Sequence, residues 1–183
     1  MTVKRTRLLG KPEILYSGRV FSVERQHVLE PNGTQATKDI VRHPGSAVIL
    51  PIFDNGKILL IRQFRVALKA EVWELPAGTR DSSETFLQTA RRELQEETGF
   101  RATSWRKLVE YFPSPGFLNE RMAIFVARGL QSGKASPEDD EQITVEPVSM
   151  DRAVRMMRSG QIQDSKTLVG ILFWHKFGKS FSH

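Results

Sequence analysis

The feature that constrains this chain most is one run, residues 78–100, which reads GTRDSSETFLQTARRELQEETGF. Three of its four glutamates fall within five positions. Carboxylates three or four residues apart on a helix repel each other by roughly a few tenths of a kcal/mol per pair. A bound cation can offset this repulsion, and oxygen ligands without Cys or a nearby His suit a hard ion such as Mg²⁺ or Mn²⁺.

The spacing of this run predicts a helix over residues 84–98. Ser82 or Ser83 is the expected N-cap, and Gly99 suits a left-handed residue just past the helix end. The apolar residues fall on one stripe, which predicts the face that packs on a core: Phe86, Leu87, Ala90 and Leu94.

The acidic residues fall at the edge of that stripe. Glu93 and Glu97 are i, i+4 partners and Glu96 flanks them, so we expect their carboxylates to line a wall where buried surface meets a cleft. Arg92 is i, i+4 to Glu96 and is expected to hold it in place. A plain solvated acidic face is the alternative for any one of these residues.

The pattern Gly-x5-Glu-x7-Arg-Glu-Leu-x-Glu-Glu-x-Gly-Phe resembles the Nudix box, with every fixed position filled. The resemblance implies a hydrolase that uses Mg²⁺ or Mn²⁺ to cleave a nucleoside diphosphate linked to another group. It implies that Glu93 and Glu97 are the main metal ligands, with Glu96 close by and the carbonyl of Ala77 as a further ligand. Arg92 is implied to orient the box residues, together with Glu84.

A second resemblance narrows the substrate. Residues 114–120 read SPGFLNE and resemble the proline-marked loop of ADP-ribose pyrophosphatases, as do ELPAG at 74–78 and RQFR at 62–65. The implied reaction converts ADP-ribose and water to AMP and ribose 5-phosphate. Hydrolases of GDP-mannose and other nucleotide sugars share part of these motifs, so such a sugar or a dinucleotide is the alternative substrate. A nucleotide-binding regulator would be expected to have a degraded box, whereas this box is intact.

The same resemblance suggests residues outside the box. Glu141, on a late acidic loop, is the expected catalytic base, with Glu138 and Asp139 as alternatives because sequence cannot fix the register of a loop. A lid that carries a base would fit a site that closes and excludes water.

Other residues are candidates for substrate binding. Arg65 is the expected phosphate clamp, since its planar fork matches two phosphate oxygens; a surface salt bridge is the alternative. Glu120 is expected to bind a ribose hydroxyl or a metal ion. Phe21 or Arg42 is a candidate to stack on the adenine, in one version from a partner subunit, although an aromatic residue in a strand is more often part of a core.

The wider pattern predicts an α/β (α+β) fold with a mixed sheet. Ala47–Phe53 is nearly all apolar and predicts a buried central strand. The Nudix resemblance implies a helix–sheet–helix sandwich over residues 45–183, with residues 1–44 as an added antiparallel β-subdomain. Ser149 and either Asp164 or Ser165 are expected to cap two late helices, and a stripe is expected on the second: Leu168, Ile171, Leu172 and His175.

Composition excludes several classes of protein. No apolar run is long enough to span a bilayer, the N-terminus does not resemble a secretory signal, and there is no Cys, so we expect a cytoplasmic protein without a membrane partner. The net charge of +6 is spread along the chain without aromatic–basic alternation, so no nucleic-acid polymer partner is expected. The expected partner is a small nucleoside diphosphate sugar. The Nudix resemblance also implies a homodimer.

Overall fold

The computed structural model describes residues 5–136 and 142–178. The contacts divide the chain into two compact units. The first unit contains the residues up to Gly45 together with Phe112–Arg121, and the second contains Ser46–Tyr111 and the residues from Met122 onward. The proline-marked loop therefore packs in the same unit as the N-terminal strands, although it lies far from them in sequence.

The first unit is an antiparallel sheet of four strands: β1 (Arg7–Leu8), β2 (Glu13–Ser17), β3 (Ser22–Leu29) and β4 (Gln35–Arg42). Strand β3 pairs with all three others, with β4 along its length and β1 and β2 at its two ends. The turn between β3 and β4 contains the predicted glycine at positive φ, Gly33 at 88°.

The second unit contains seven strands and three helices, in this order: β5 (Ser46–Pro51), β6 (Ile58–Arg65), β7 (Ala70–Glu74), β8 (Ala77–Thr79), α1 (Phe86–Thr98), β9 (Phe100–Tyr111), β10 (Met122–Ser132), β11 (Ile143–Val148), α2 (Met150–Arg158) and α3 (Ser165–Phe177). One sheet has the order β8-β5-β10-β9 and is mixed, because β5 and β10 are parallel while the outer pairs are antiparallel. The other sheet, β11-β6-β7, is antiparallel.

Strand β5 is buried on both faces, which explains why its sequence is apolar without alternation. Its residues 47 and 49 face a core shared with Ala90 and Leu94 of α1. Its residues 48 and 50 face a second core that includes side chains of α2 and α3. The mixed α/β class and the helix–sheet–helix sandwich predicted from the sequence are therefore confirmed.

The start of α1 differs from the prediction. Thr85 is the N-cap, rather than Ser82 or Ser83, and forms a capping box in which its hydroxyl accepts the amide of Gln88 and its own amide donates to Gln88 Oε1. The earlier residues form a turn instead, closed by the bond from Glu84 N to Asp81 O at 3.0 Å. Gly99 ends the helix at φ 75°, as predicted.

The caps of α2 and α3 are Ser149 and Asp164. The stripe predicted on α3 is partly wrong, because Leu172 is 53% exposed and His175 is also exposed. The reason is Gly170, where a Cβ would lie 2.7 Å from Leu75 Cδ1. This close approach turns a different face of α3 inward. Within the described residues, no helix combines the length and the apolar character needed to cross a bilayer.

Candidate active site

Strand β8 and helix α1 carry the centre of the candidate site, and both are positioned by β5. Val48 of β5 pairs with Ala77, while the opposite register of β5 packs on the apolar stripe of α1. The next residue, Gly78, leaves space that the Glu93 carboxylate fills. A Cβ on residue 78 would lie 1.8 Å from Glu93 Oε1. Glycine is therefore required at this position of the box because a neighbouring carboxylate occupies the place of a side chain.

Arg92 is the centre of the charged cluster. Its Nε and Nη2 donate to the two oxygens of Glu84 at 3.0 and 3.1 Å. Its Nη1 donates to Glu93 at 2.6 Å and to Glu96 at 2.9 Å. Nη2 also donates to the carbonyl of Thr79 at 3.3 Å. One guanidinium therefore links the loop before α1 to two carboxylates of the helix.

These contacts shift the ionisation of the cluster. The hydrogen bonds from Arg92, together with those from Thr89 and the Asp81 amide, outweigh desolvation and lower the pKa of Glu84 to about 2. The same carboxylates raise the pKa of Arg92, with Glu84 as the largest cause. Glu84 is thus an anion at any physiological pH, and it orients Arg92 rather than exchanging protons.

The three clustered glutamates differ in exposure. Glu97 is 3% exposed, and its Oε2 accepts the amide of Ala77 at 3.0 Å. The side chain of Glu93 is 12% exposed and that of Glu96 is 38% exposed. The carboxylates therefore run from buried to exposed along one side of α1, as expected for a wall between a core and a cleft.

The structure does not assemble a ready metal-binding group. Within residues 5–136 and 142–178, no three His, Asp or Glu side chains converge in a metal-ligating arrangement. Glu93 and Glu96 bind Arg92, and Glu97 binds the Ala77 amide. The donors are still carboxylate oxygens, the chemistry that Mg²⁺ and Mn²⁺ prefer.

Arg65, the expected phosphate clamp, forms a bidentate ion pair with Glu74. Its Nε and Nη2 each donate to one carboxylate oxygen at 2.7 Å, while 39% of the Arg65 side chain stays exposed. Burial would raise the pKa of Glu74, but hydrogen bonds from Arg65 and Lys166 outweigh it and lower that pKa. Glu74 raises the pKa of Arg65, and the charges of Glu97 and Asp164 add to the effect, which puts Arg65 within electrostatic range of the box.

Sequence reasoning missed Glu74 and Lys166 as members of this cluster. Lys166 donates to Glu74 and, at 3.0 Å, to Asp164. One local signal was available: Lys166 lies in the first turn of α3, where the helix dipole disfavours a cation. A lysine at such a position indicates an acidic partner.

The first unit contains the other predicted binding residues. Arg42 donates through Nε to Glu24 Oε1 at 2.7 Å and holds the pKa of Glu24 below its ordinary value. Arg42 also lines an apolar cavity of about 300 Å³ formed with the proline-marked loop. Phe21 is 43% exposed and packs against Tyr16, so it is not a core residue.

Glu120 is 8% exposed and lies 3.4 Å from His43 Nδ1. The loop that carries it is fixed to β4, since Val41 N donates to Phe117 O at 2.8 Å and Asn119 N donates to Val41 O at 3.2 Å. The predicted base Glu141 and its alternatives Glu138 and Asp139 lie outside the described residues.

Known proteins resemble this chain over most of its length. A sequence profile of the NUDIX domain matches residues 42–168. An ADP-ribose pyrophosphatase from Bacillus subtilis (strain 168) is 35% identical over 163 residues, which cover 88% of each chain. A methanol dehydrogenase activator from Bacillus methanolicus is 34% identical over 165 residues, 89% of each chain. A crystal structure of an ADP compounds hydrolase superposes with a TM-score of 0.79 over 96% of this chain and 98% of that one; at 22% identity this likeness concerns the fold alone.

Proposed function

This chain belongs to the Nudix family, and on that premise we propose that it hydrolyses the diphosphate of ADP-ribose to AMP and ribose 5-phosphate. The observation that carries the proposal is the intact box around Arg92. Glu84, Glu93 and Glu96 are all held by that guanidinium, and Gly78 leaves room for the Glu93 carboxylate. Such an arrangement fixes several carboxylates beside a cleft within a few tenths of an ångström, as a site for a highly charged substrate requires.

We infer that Glu93, Glu96 and Glu97, with the carbonyl of Ala77, hold Mg²⁺ or Mn²⁺. The donor set fits, because it consists of oxygen atoms only and two of the three carboxylates are largely buried. A bound divalent ion supplies charge neutralisation of the diphosphate and activation of water. The chain's own contribution is to orient these carboxylates: Arg92 holds Glu93 and Glu96, and the Ala77 amide holds Glu97.

Arg65 is the proposed contact for the diphosphate from the chain itself. Glu74 uses its Nε and one terminal nitrogen, so the N–H groups of the other terminal nitrogen, Nη1, point away from that carboxylate. A planar guanidinium held in this way donates to phosphate oxygens in a fixed direction. The proposed base is Glu141, with Glu138 and Asp139 as the alternatives.

In the first unit, we propose that Arg42, Phe21 and Glu120 contact the nucleoside. Glu24 holds the Arg42 guanidinium at the wall of an apolar cavity, where an aromatic base can stack on it. Glu120 is held beside His43 and offers a carboxylate for a ribose hydroxyl.

We also propose a homodimer, because all five residues of β2 are exposed. These include Ile14 at 59%, Leu15 at 41% and Tyr16 at 53% exposed, an apolar surface of the kind that a second copy covers. Analytical ultracentrifugation tests it: a single species of about 21 kDa (close to the chain mass of 20.8 kDa) at micromolar concentration would count against the dimer. A cytoplasmic location stays a prediction from the sequence.

The test of the function is a substrate panel with Mg²⁺, comparing ADP-ribose with GDP-mannose, other nucleotide sugars and dinucleotides. We expect ADP-ribose to have the highest kcat/KM; equal turnover of all compounds would defeat the narrow assignment. Glu93→Gln and Glu97→Gln should each lower kcat at least about 10²-fold, as loss of a key electrostatic stabiliser does. Glu146→Gln is the matched control, since Glu146 pairs with the exposed Arg152 far along the chain from the box. Hydrolysis in ¹⁸O water then identifies the phosphorus that is attacked.

GDP-mannose or another nucleotide sugar is the second candidate substrate, favoured by the motifs that those hydrolases share with this chain. A non-enzymatic nucleotide-binding role is the third, and it predicts binding of ADP-ribose without turnover. The intact box argues against it, because selection for binding alone gives no reason to keep four paired carboxylates.

A further inference from the structure

Lys166 is a buried cation in an unfavourable place. It lies in the first turn of α3 and is 8% exposed, where both the helix dipole and the loss of water disfavour its charge. It keeps its charge through two acidic partners, Glu74 and Asp164. Asp164 is also the helix cap, which explains its presence without Lys166. The contact between Lys166 and Glu74 therefore needs a separate explanation.

Glu74 joins Lys166 to Arg65. It is 2% exposed and accepts from Arg65 through both oxygens and from Lys166 through Oε2. A single carboxylate shared by two cations leaves one positive charge in the trio. Lys166 binds Glu74 from the buried side, whereas Arg65 is the partly exposed member.

The start of α3 is also fixed to the backbone that leads into the box. Leu75 N donates to Thr167 Oγ1 at 2.7 Å. The next residues are held by other elements: Pro76 O accepts from Ile49 N of β5 at 2.8 Å, and Ala77 N donates to Glu97 of α1. Three consecutive residues are thus held by α3, β5 and α1, so the position of Lys166 relative to the box is well determined.

We propose that Lys166 is a positioning residue for the diphosphate: by pairing with Glu74 from the buried side, it leaves Arg65 oriented by that carboxylate yet with its positive charge available to phosphate oxygens. This inference rests on the proposed function and identifies how the same site is tuned. Without Lys166, the charge of Glu74 would be offset by Arg65 alone, and Arg65 would attract an anion less strongly.

The test compares four variants. Lys166→Met should raise the KM for ADP-ribose roughly tenfold, the scale of one charge at a partly buried site, with kcat changed less than about threefold. Lys166→Arg keeps the charge and should stay within about threefold of wild type in KM. Lys176→Met removes the same charge from the exposed last turn of α3 and should leave KM unchanged.

The decisive variant is the double substitution Lys166→Met with Glu74→Gln. Once residue 74 is neutral, Lys166 has no charge to offset, so we expect KM to return to within about threefold of wild type. A purely structural role would not give this rescue, and urea unfolding of each variant separates folding from binding. A KM within twofold of wild type for Lys166→Met, or a double variant no better than Lys166→Met, would overturn the proposal.

The proposal can fail separately from the function. Affinity for inorganic pyrophosphate, measured by calorimetry with Mg²⁺ present, should follow the same order among the variants. If wild type did not hydrolyse ADP-ribose, the proposed function would fail. The pyrophosphate affinities would still decide the role of Lys166, because an unchanged affinity in Lys166→Met would refute it.

Discussion

The contact between Gly78 and Glu93 allows activity and stability to be separated by one methyl group. In Gly78→Ala, the added Cβ would lie 1.8 Å from Glu93 Oε1, 2.0 Å from Cδ and 2.6 Å from Oε2. The atoms in the way are the end of a flexible side chain and not backbone, and Gly78 does not lie at positive φ. The carboxylate is therefore expected to move while the fold stays the same.

The size of the effect follows from these distances. Ordinary contact between heavy atoms requires about 3.5 Å, so the Glu93 carboxylate must move by more than about 1 Å. A displacement of this size at a reacting centre costs about 10²-fold in rate. The free energy of unfolding should change by less than about 1 kcal/mol, because a Gly-to-Ala change stiffens the unfolded chain by about 0.4–1 kcal/mol while a weakened Arg92–Glu93 pair costs up to about 1 kcal/mol.

The assay measures kcat/KM for ADP-ribose with Mg²⁺ and, in parallel, urea unfolding. Gly10→Ala is the matched control, since no atom lies within 4 Å of its added Cβ. If Gly78→Ala kept kcat/KM within threefold of wild type, the Glu93 carboxylate would not need the position it occupies. A loss of several kcal/mol in stability would instead show that residue 78 is constrained by its backbone.

Two further predictions concern stability. Thr167→Val should lower the free energy of unfolding by about 1–3 kcal/mol relative to Thr167→Ser, because the buried Leu75 amide loses its acceptor; equal urea midpoints would contradict this. The folded pKa of Glu84, about 2, lies below its unfolded value of 4.5, so its stabilisation is present above about pH 4.5 and is lost as the pH falls toward 2. The stability difference between wild type and Glu84→Gln, on the order of 1–2 kcal/mol after allowance for solvent screening, should therefore shrink across that window, and a difference independent of pH would contradict the assignment.

Local patterns predicted much of the fold. The apolar run at β5, the stripe of α1 and the glycine that ends it all depend on neighbouring residues, and each was identified correctly. Errors arose where distant residues decide the outcome. Strand β9 was predicted from Trp105 but begins at Phe100, because the polar residues before Trp105 pair with the far end of β10. The packing face of α3 was misjudged for the same reason, since it depends on the approach of Gly170 to Leu75.

The candidate site shows the same division. The box residues lie within one loop and one helix, so their spacing alone brought Arg92 and Glu96 together in the prediction. Glu74 and Lys166 are 92 residues apart, and no periodicity links them. Arg65 was identified for its guanidinium, but the carboxylate that orients it could not be inferred, because the pairing of β6 with β7 and the docking of α3 bring the three residues together.

The two charged clusters solve one physical problem in different ways. Carboxylates gathered for a cation repel each other and also repel a diphosphate, so each needs compensation before any substrate arrives. In the box, Arg92 supplies it directly and keeps Glu84 ionised. Beside the box, Glu74 is compensated from the buried side by Lys166, which leaves Arg65 only partly used. The acidic residues can therefore be held in place without the site becoming so negative that it excludes an anionic substrate.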